Sequence, residues 1–173
     1  MTVPSDEACE EAYQREIDYV FRTLRRLGVS PSEVDDLAQE VFLALRQSWQ
    51  EYDPSRPLRP YLFGIAFRIA STHQRRRRRE VVLAVVEPDE LSAPPDQALQ
   101  AKQTRAVVLA ALEKVPLPRR AVLVMYDLDD MPMDQIAAAL GIPLFTAYSR
   151  LRKARRELEA VLRRLLREVD VRS

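Results

Sequence analysis

Two residues limit the chemistry open to this chain. It has a single histidine, His73, and a single cysteine, Cys9. His73 stands beside five consecutive arginines, Arg75 to Arg79, so no Ser-His-Asp relay is credible around it. Cys9 lies in the acidic stretch EACEEAY, where a thiolate is disfavoured. One cysteine excludes an internal disulfide and any cysteine-based zinc site. With 3 glycines, no phosphate-cradling loop of the usual form is available. The adjacent carboxylates Asp129 and Asp130 are expected in a loop between helices. The sequence therefore assigns no catalytic residue, no cofactor and no metal ligand, and the reading is not that of an enzyme with a small-molecule substrate.

What remains is the chemistry of charge. The formal net charge is only +1, but it is sorted into blocks. Residues 1–40 carry −6, residues 41–79 carry +7, residues 80–101 carry −5, residues 102–140 are neutral and residues 141–173 carry +5. Such blocks suggest different partners for different segments. The arginine run is the sharpest case. A cation at a helix C-terminus gains only about 0.3–1 kcal/mol from the helix dipole, too little to explain five adjacent like charges.

These groups need elements to position them, and the pattern predicts helices throughout. Hydrophobic content is 47%, enough for a packed core. Residues 6–27 place Ile17, Val20, Phe21, Leu24 and Leu27 at helical spacing, with Gly28 as a stop. Ser30, Pro31 and Glu33 match a capping box. After it, Val34, Leu37, Ala38, Val41, Phe42, Leu45 and Trp49 form one apolar stripe. EYDPSRPLRP then breaks the chain with three prolines. A third helix is expected from near Pro60, burying Leu62, Ile65, Ala66, Ile69 and Ala70, with the arginine run at or just beyond its last turn. Residues 80–97 are acidic and proline-rich and read as a linker. The second half is helical again from 98.

Within it, MDQIAAALGIPLFTAYSRLRKAR reads as a helix-turn-helix. A short helix over about 133–140 buries Ile136, Ala137 and Leu140. Gly141 supplies a positive φ at the turn, Ile142 plugs the corner, and Pro143 blocks continuation. A second helix from about Phe145 buries Ala147, Leu151 and Ala154 and turns Tyr148, Ser149, Arg150, Arg152, Lys153, Arg155 and Arg156 outward. A basic second helix suits the major groove, while a solvated cationic face is the plainer alternative.

Taken in order, the segments resemble the bacterial RNA polymerase sigma factors of the extracytoplasmic-function (ECF) class. DDLAQEVFLAL resembles the core-binding helix of region 2, YDPSRPLRPYLFGIAFRIA the promoter-melting segment that follows, and LPRRAVLVMYDLDDMPMDQIAAALGIPLFTAYSRLRKARREL region 4. The resemblance covers almost the whole chain. It implies an all-α fold of two small helical domains, region 2 at 1–79 and region 4 at 98–173, joined by the acidic flexible linker at 80–97.

The resemblance also implies roles for residues. Asp36, Gln39 and Glu40, at i, i+3 and i+4, match the surface that docks on the β′ clamp helices of core polymerase; the β flap is a further expected contact. Tyr52, Arg56, Arg59, Tyr61 and Arg68 match the segment that captures the melted non-template strand of the −10 element. Arg75, Arg76, Arg77, Arg78 and Arg79 follow it and are expected on phosphates, where each neutralised duplex phosphate adds about 0.9 to the salt dependence. Thr146, Tyr148, Ser149, Arg150, Arg152, Lys153 and Arg156 are expected at the −35 element. Tyr61 stands where the family usually has Trp, and Arg68 where it usually has Asn, so base specificity does not carry over there.

Promoter DNA, duplex and melted, and an anti-sigma factor are the further partners implied. The absence of an apolar leader or of a long apolar run predicts a cytoplasmic protein, nucleoid-associated within holoenzyme and held at the membrane where the anti-sigma factor is membrane-bound. Two other readings stand beside this one: a stand-alone helix-turn-helix regulator, and a helical interaction protein that binds polymerase without reading a promoter.

Overall fold

In the computed structural model, which describes residues 6–81 and 97–170, every regular element is helical. Helix α1 (Asp6–Arg26) buries Val20 and Leu24, and Leu27 just after it, as its spacing demands. Gly28 ends it at φ 91°, with Val29 N–H donating back to Leu24 O at 3.0 Å. Helix α2 (Val34–Ser48) buries the expected stripe on one side. It begins three residues later than a true capping box would put it. Residues 30–33 form a turn in which the Ser30 hydroxyl donates to the Glu33 carboxylate instead of accepting from a backbone N–H. A 3₁₀ turn (Trp49–Glu51) leads to the proline-rich loop.

Helix α3 (Leu58–Val81) starts two residues before Pro60 and continues through the whole arginine run. Leu62, Ile65, Ala66 and Ala70 are buried, and Ile69 is half-buried. Phe63 and Gly64 are buried as well, so α3 is covered on more than one face. Residues 82–96, most of the expected acidic linker, lie outside the described residues.

Helices α4 (Gln97–Glu113) and α5 (Leu117–Leu123) follow, the latter running into a π-helical turn (Val124–Leu128). Helix α6 (Met133–Leu140) has the expected bounds, and Gly141 caps it at φ 63°. Helix α7 (Leu144–Asp170) buries Ala147, Leu151 and Ala154. Leu158, further along α7, packs partly against the core.

The second half packs directly on the first. Helix α6 lies against α3 and α4 touches α1, and the buried residues of both halves form one continuous cluster. Arg120 is the buried link. Its guanidinium donates to Leu27 O at 2.7 Å across the two halves, and to Glu113 O and Val115 O at 2.7–3.1 Å within its own. It sits where a Cβ on Gly28 would be, 2.5 Å from Nη1, so Gly28 provides both the turn and the space. A cation at the C-terminus of α1 satisfies carbonyls that helix geometry leaves unpaired. Burial pulls the Arg120 pKa down to about 10, which still leaves it protonated at neutral pH. Arg120→Met would take the guanidinium from three carbonyls: Leu27 O keeps Gln74 Nε2 at 3.0 Å and Glu113 is exposed, so the buried Val115 O is the one left stranded, at about 1–3 kcal/mol. An expected loss of about 2 kcal/mol corresponds to a Tm roughly 4–8 °C lower, measurable by thermal unfolding.

Candidate polymerase and nucleic-acid interface

Three surfaces emerge. The first is the outer face of α2. Asp36, Gln39 and Glu40 are all exposed there, opposite the buried stripe, and none makes an ion pair among the described residues. Leu43 completes the same i, i+3, i+4, i+7 face and is 59% exposed. Sequence periodicity passed over Leu43 because it lies off the apolar stripe; an isolated leucine among polar neighbours was the signal available.

The second surface runs from the proline-rich loop along α3. Trp49, Tyr52 and Tyr61 form an aromatic ladder, with ring centroids 5.3 Å and 5.1 Å apart at successive steps. The Tyr61 hydroxyl donates to Ser48 Oγ at 2.8 Å, and the Tyr52 hydroxyl donates to Arg56 O. Asp53 Oδ1 accepts from Ser55 N–H and Oγ at 2.9 and 2.7 Å, an Asx-type turn; these bonds hold the Asp53 carboxyl below its ordinary pKa. Arg56 projects into solvent beside it, 3.8 Å from Asp53. Arg59 is not free. It bonds the buried Glu16 at 2.8 Å and stacks over the Tyr19 ring at 5.0 Å. Phe63 is core, whereas Tyr61 and Phe67 are half-buried at the edge of α3.

Arg68 lines two clefts, one with Phe67, Arg75 and Arg78, and another with Glu40, His73 and Arg76. All five arginines of the run are exposed. Arg77 is partly engaged, 3.3 Å from Glu33, and Arg75 Nε donates to Ser71 O at 3.3 Å. His73 Nε2 lies 3.1 Å from Glu33 Oε1, near enough to attract but poorly aligned as a hydrogen bond. The Ser30 hydroxyl first, then His73 and Arg77, lower the Glu33 pKa.

The third surface is the start of α7. Thr146, Ser149, Arg150 and Lys153 line a shallow concave strip with Pro116, Pro118 and Arg119. Tyr148 is 54% exposed, and Arg152 and Arg156 are exposed beside it. Arg155 belongs elsewhere: it makes a bidentate pair with Asp127 at 2.5 and 3.0 Å. Arg119 pairs likewise with Glu157 at 2.6 and 2.8 Å. Phe145, which the sequence reading used only to mark the helix start, is 83% exposed at the rim of the strip. It stands one turn before Ser149 and two before Lys153 on the same side.

Nothing in these surfaces resembles a metal centre: among the described residues no cluster of His, Cys, Asp or Glu is arranged to hold an ion. Nor is any described helix long and apolar enough to cross a membrane.

Comparison with known proteins accounts for both halves. Residues 12–80 match the Sigma-70 region 2 family and residues 105–158 the Sigma-70 region 4 family. The ECF RNA polymerase sigma factor EcfG of Rhodopseudomonas palustris is 31% identical over 147 residues, covering 81% of this chain and 79% of that one. The ECF RNA polymerase sigma factor SigE of Mycolicibacterium smegmatis is 30% identical over 88% of this chain, which spans 61% of its length. Among solved structures, CnrH in complex with the cytosolic domain of CnrY superposes with a TM-score of 0.66 at 24% identity, covering 91% of this chain and 89% of that one. The sigma factor RpoE in complex with the anti-sigma factor NepR from Bartonella quintana gives 0.72 at 18%, covering 89% and 96%. The structural likenesses establish a shared fold; with the two region matches and the identity to EcfG, they mean that this chain belongs to the ECF class of RNA polymerase sigma factors, the alternative sigma factors of transcription initiation.

Proposed function

We propose that the three surfaces divide the work of promoter-directed initiation. The outer face of α2, Asp36, Gln39, Glu40 and Leu43, docks on core polymerase. The loop after α2 and the exposed edge of α3 hold the melted −10 strand. The start of α7 reads the −35 duplex. The domains act as units over 1–79 and 98–173, with 80–97 between them. The observation that carries this reading is the contrast across α2 and α7. Each has one buried apolar face; opposite it, Asp36, Gln39, Glu40 and Leu43 of α2 are exposed, as are Tyr148, Arg152, Lys153 and Arg156 of α7, with Thr146, Ser149 and Arg150 half-buried beside them, and none of these side chains makes an ion pair among the described residues.

At the −10 surface, the half-buried Tyr52 and Tyr61, backed by the buried Trp49, offer a stacking platform of the kind that takes unstacked bases. Arg56 is placed to contact phosphate. Arg59 contributes by bracing α3 onto α1 through Glu16, so its loss would act through position rather than contact. Melting draws on binding energy, and the chemistry of RNA synthesis belongs to the polymerase. Its work on polymerase and DNA places the chain in the cytoplasm. The neighbours solved with CnrY and NepR support an anti-sigma partner for this chain too.

At the −35 surface, Ser149, Arg152 and Lys153 offer hydrogen bonds to base edges, and Phe145 offers an apolar contact fitting the methyl group of thymine. Arg150 and Arg156 flank them for phosphate. Lys153→Ala and Phe145→Ala are each expected to change preference at one −35 position by about 1–3 kcal/mol, roughly 5- to 150-fold, with little change on unrelated sequences. Selection of promoter fragments by holoenzyme measures this; a uniform loss on every sequence would move the residue to the phosphate contacts. The reading as a whole is tested by run-off transcription with bacterial core polymerase. Discrete start sites dependent on this protein are expected. Specific duplex binding without any transcript would favour a stand-alone regulator.

A further inference from the structure

Arg68, Ser71, Arg75 and Arg78 recur at i, i+3, i+7 and i+10 along α3, so they share one side of the helix. They line a cleft of about 620 Å³ whose opposite wall is Pro116 to Pro118. All three arginines are exposed, and none makes an ion pair among the described residues. No carboxylate lines this cleft. The two other clefts along α3 differ: Glu51, Asp53 and Asp134 line the one beside Tyr52, and Glu40 lines the one beside His73. Arg77, on the far side of α3, leans on Glu33. Three cations thus converge on one cleft with nothing to balance them.

The rest of the lining is of another kind. Phe67 is half-buried at one edge, and Leu117 with its two flanking prolines makes the opposite wall apolar. A heterocyclic ring rests well on such surfaces. Gln74 spends its Nε2 on Leu27 O at 3.0 Å and keeps its carbonyl oxygen as an acceptor, while Ser71 and Thr72 add hydroxyls. From Arg68 to Arg78 the helix rises about 15 Å, comparable to an extended nucleoside triphosphate and much longer than one phosphate.

We infer that this cleft is a binding site for a nucleoside polyphosphate, with the phosphates on Arg68, Arg75 and Arg78 and the base against Phe67 and the proline wall. Guanidinium forks take phosphate oxygens in pairs. The volume lies within the range of small-molecule sites, roughly 300–1,000 Å³. Arg68, Arg75 and Arg78 are also proposed above for the promoter strand, so a bound nucleotide and DNA phosphates exclude each other at these residues. That exclusion rests on the −10 reading; the binding itself does not.

The test is calorimetric titration of the full chain, without DNA or polymerase, using ATP, GTP and inorganic tripolyphosphate as probes. One saturable site is expected for at least one nucleotide, with a Kd on the order of 0.1 mM. Arg75→Gln with Arg78→Gln should weaken it at least about tenfold, whereas Arg76→Gln with Arg77→Gln, which removes equal charge from other sides of α3, should stay within about threefold. Circular dichroism checks that both variants keep their helices. No saturation up to about 5 mM nucleotide, equal losses in the two double variants, or tripolyphosphate bound as tightly as the nucleotides would each overturn the inference. A single-stranded oligonucleotide held by Arg75 and Arg78 that neither nucleotide displaces would assign the face to DNA alone, and overturn it too. Permanganate mapping of promoter opening by holoenzyme is read without added effector nucleotide and tests the −10 assignment separately, so failure of the site leaves that assignment standing.

Discussion

Asp36→Arg combined with Glu40→Arg is expected to abolish capture of core RNA polymerase while the protein keeps its fold. Both carboxylates are exposed on α2, and no ion pair among the described residues depends on them. Asp36 lies in the first turn of α2, so reversing its charge forfeits about 0.3–1 kcal/mol of dipole interaction. Glu40, further along, costs less. The buried stripe from Val34 to Leu45 is untouched, and surface changes of this kind stay near 0.5 kcal/mol. At an interface the same reversal sets like charge against a site that accepts carboxylates, which costs several kcal/mol. A loss of 4 kcal/mol is roughly a thousandfold in affinity. Leu43→Glu should have the same effect by placing a charge at the apolar end of the face. Pull-down of core enzyme, with circular dichroism as the control for folding, decides the matter. Undiminished capture by the double variant would remove the α2 face from the polymerase interface.

Replacing Arg75 to Arg79 by glutamine should weaken promoter binding and flatten its salt dependence, by fewer units than five arginines suggest. Because α3 continues to Val81, consecutive side chains point about 100° apart around its axis. Arg75 and Arg78 border one cleft and Arg76 another, while Arg77 leans on Glu33. A single nucleic-acid surface can meet two or three of them. At about 0.9 per duplex phosphate, the slope should fall by roughly 2–3. The affinity at 0.1 M salt should fall on the order of 10²-fold. The exposed Arg77–Glu33 pair contributes little to stability, so unfolding should be nearly unchanged. Binding titrations of holoenzyme at several salt concentrations measure the slope. A slope equal to that of the parent would mean that the run is solvated in the complex.

Much of the architecture was legible in the sequence because it is local. Helix α6 and its turn follow from apolar spacing, one glycine and one proline, and Gly141 takes the positive φ that this position needs. The exposed triplet on α2 follows from the same periodicity read on its polar side. The start of α2 was misplaced by the capping-box signature, because Ser30 spends its hydroxyl on the Glu33 side chain instead of on the backbone. The pairing of Arg59 was not legible because nothing near it in sequence reveals Glu16, a partner 43 residues away.

By itself, the sequence determined the helices, the identity of each buried stripe and the placement of cationic faces, since these depend on side-chain type repeated at 3.6-residue spacing. Only the tertiary structure decided what covers each stripe. The pairing of Asp129 with Arg26 and Tyr19 spans 103 and 110 residues, and Arg120 reaches Leu27 across 93. Such contacts leave no periodic trace. A buried arginine reads like a surface one, and a glycine in mid-helix reads as a weak point until the backbone of Ala139 is found against it. Periodicity encodes which face seeks cover, whereas the choice of cover depends on shape and on unpaired polar groups brought together only when the two halves close.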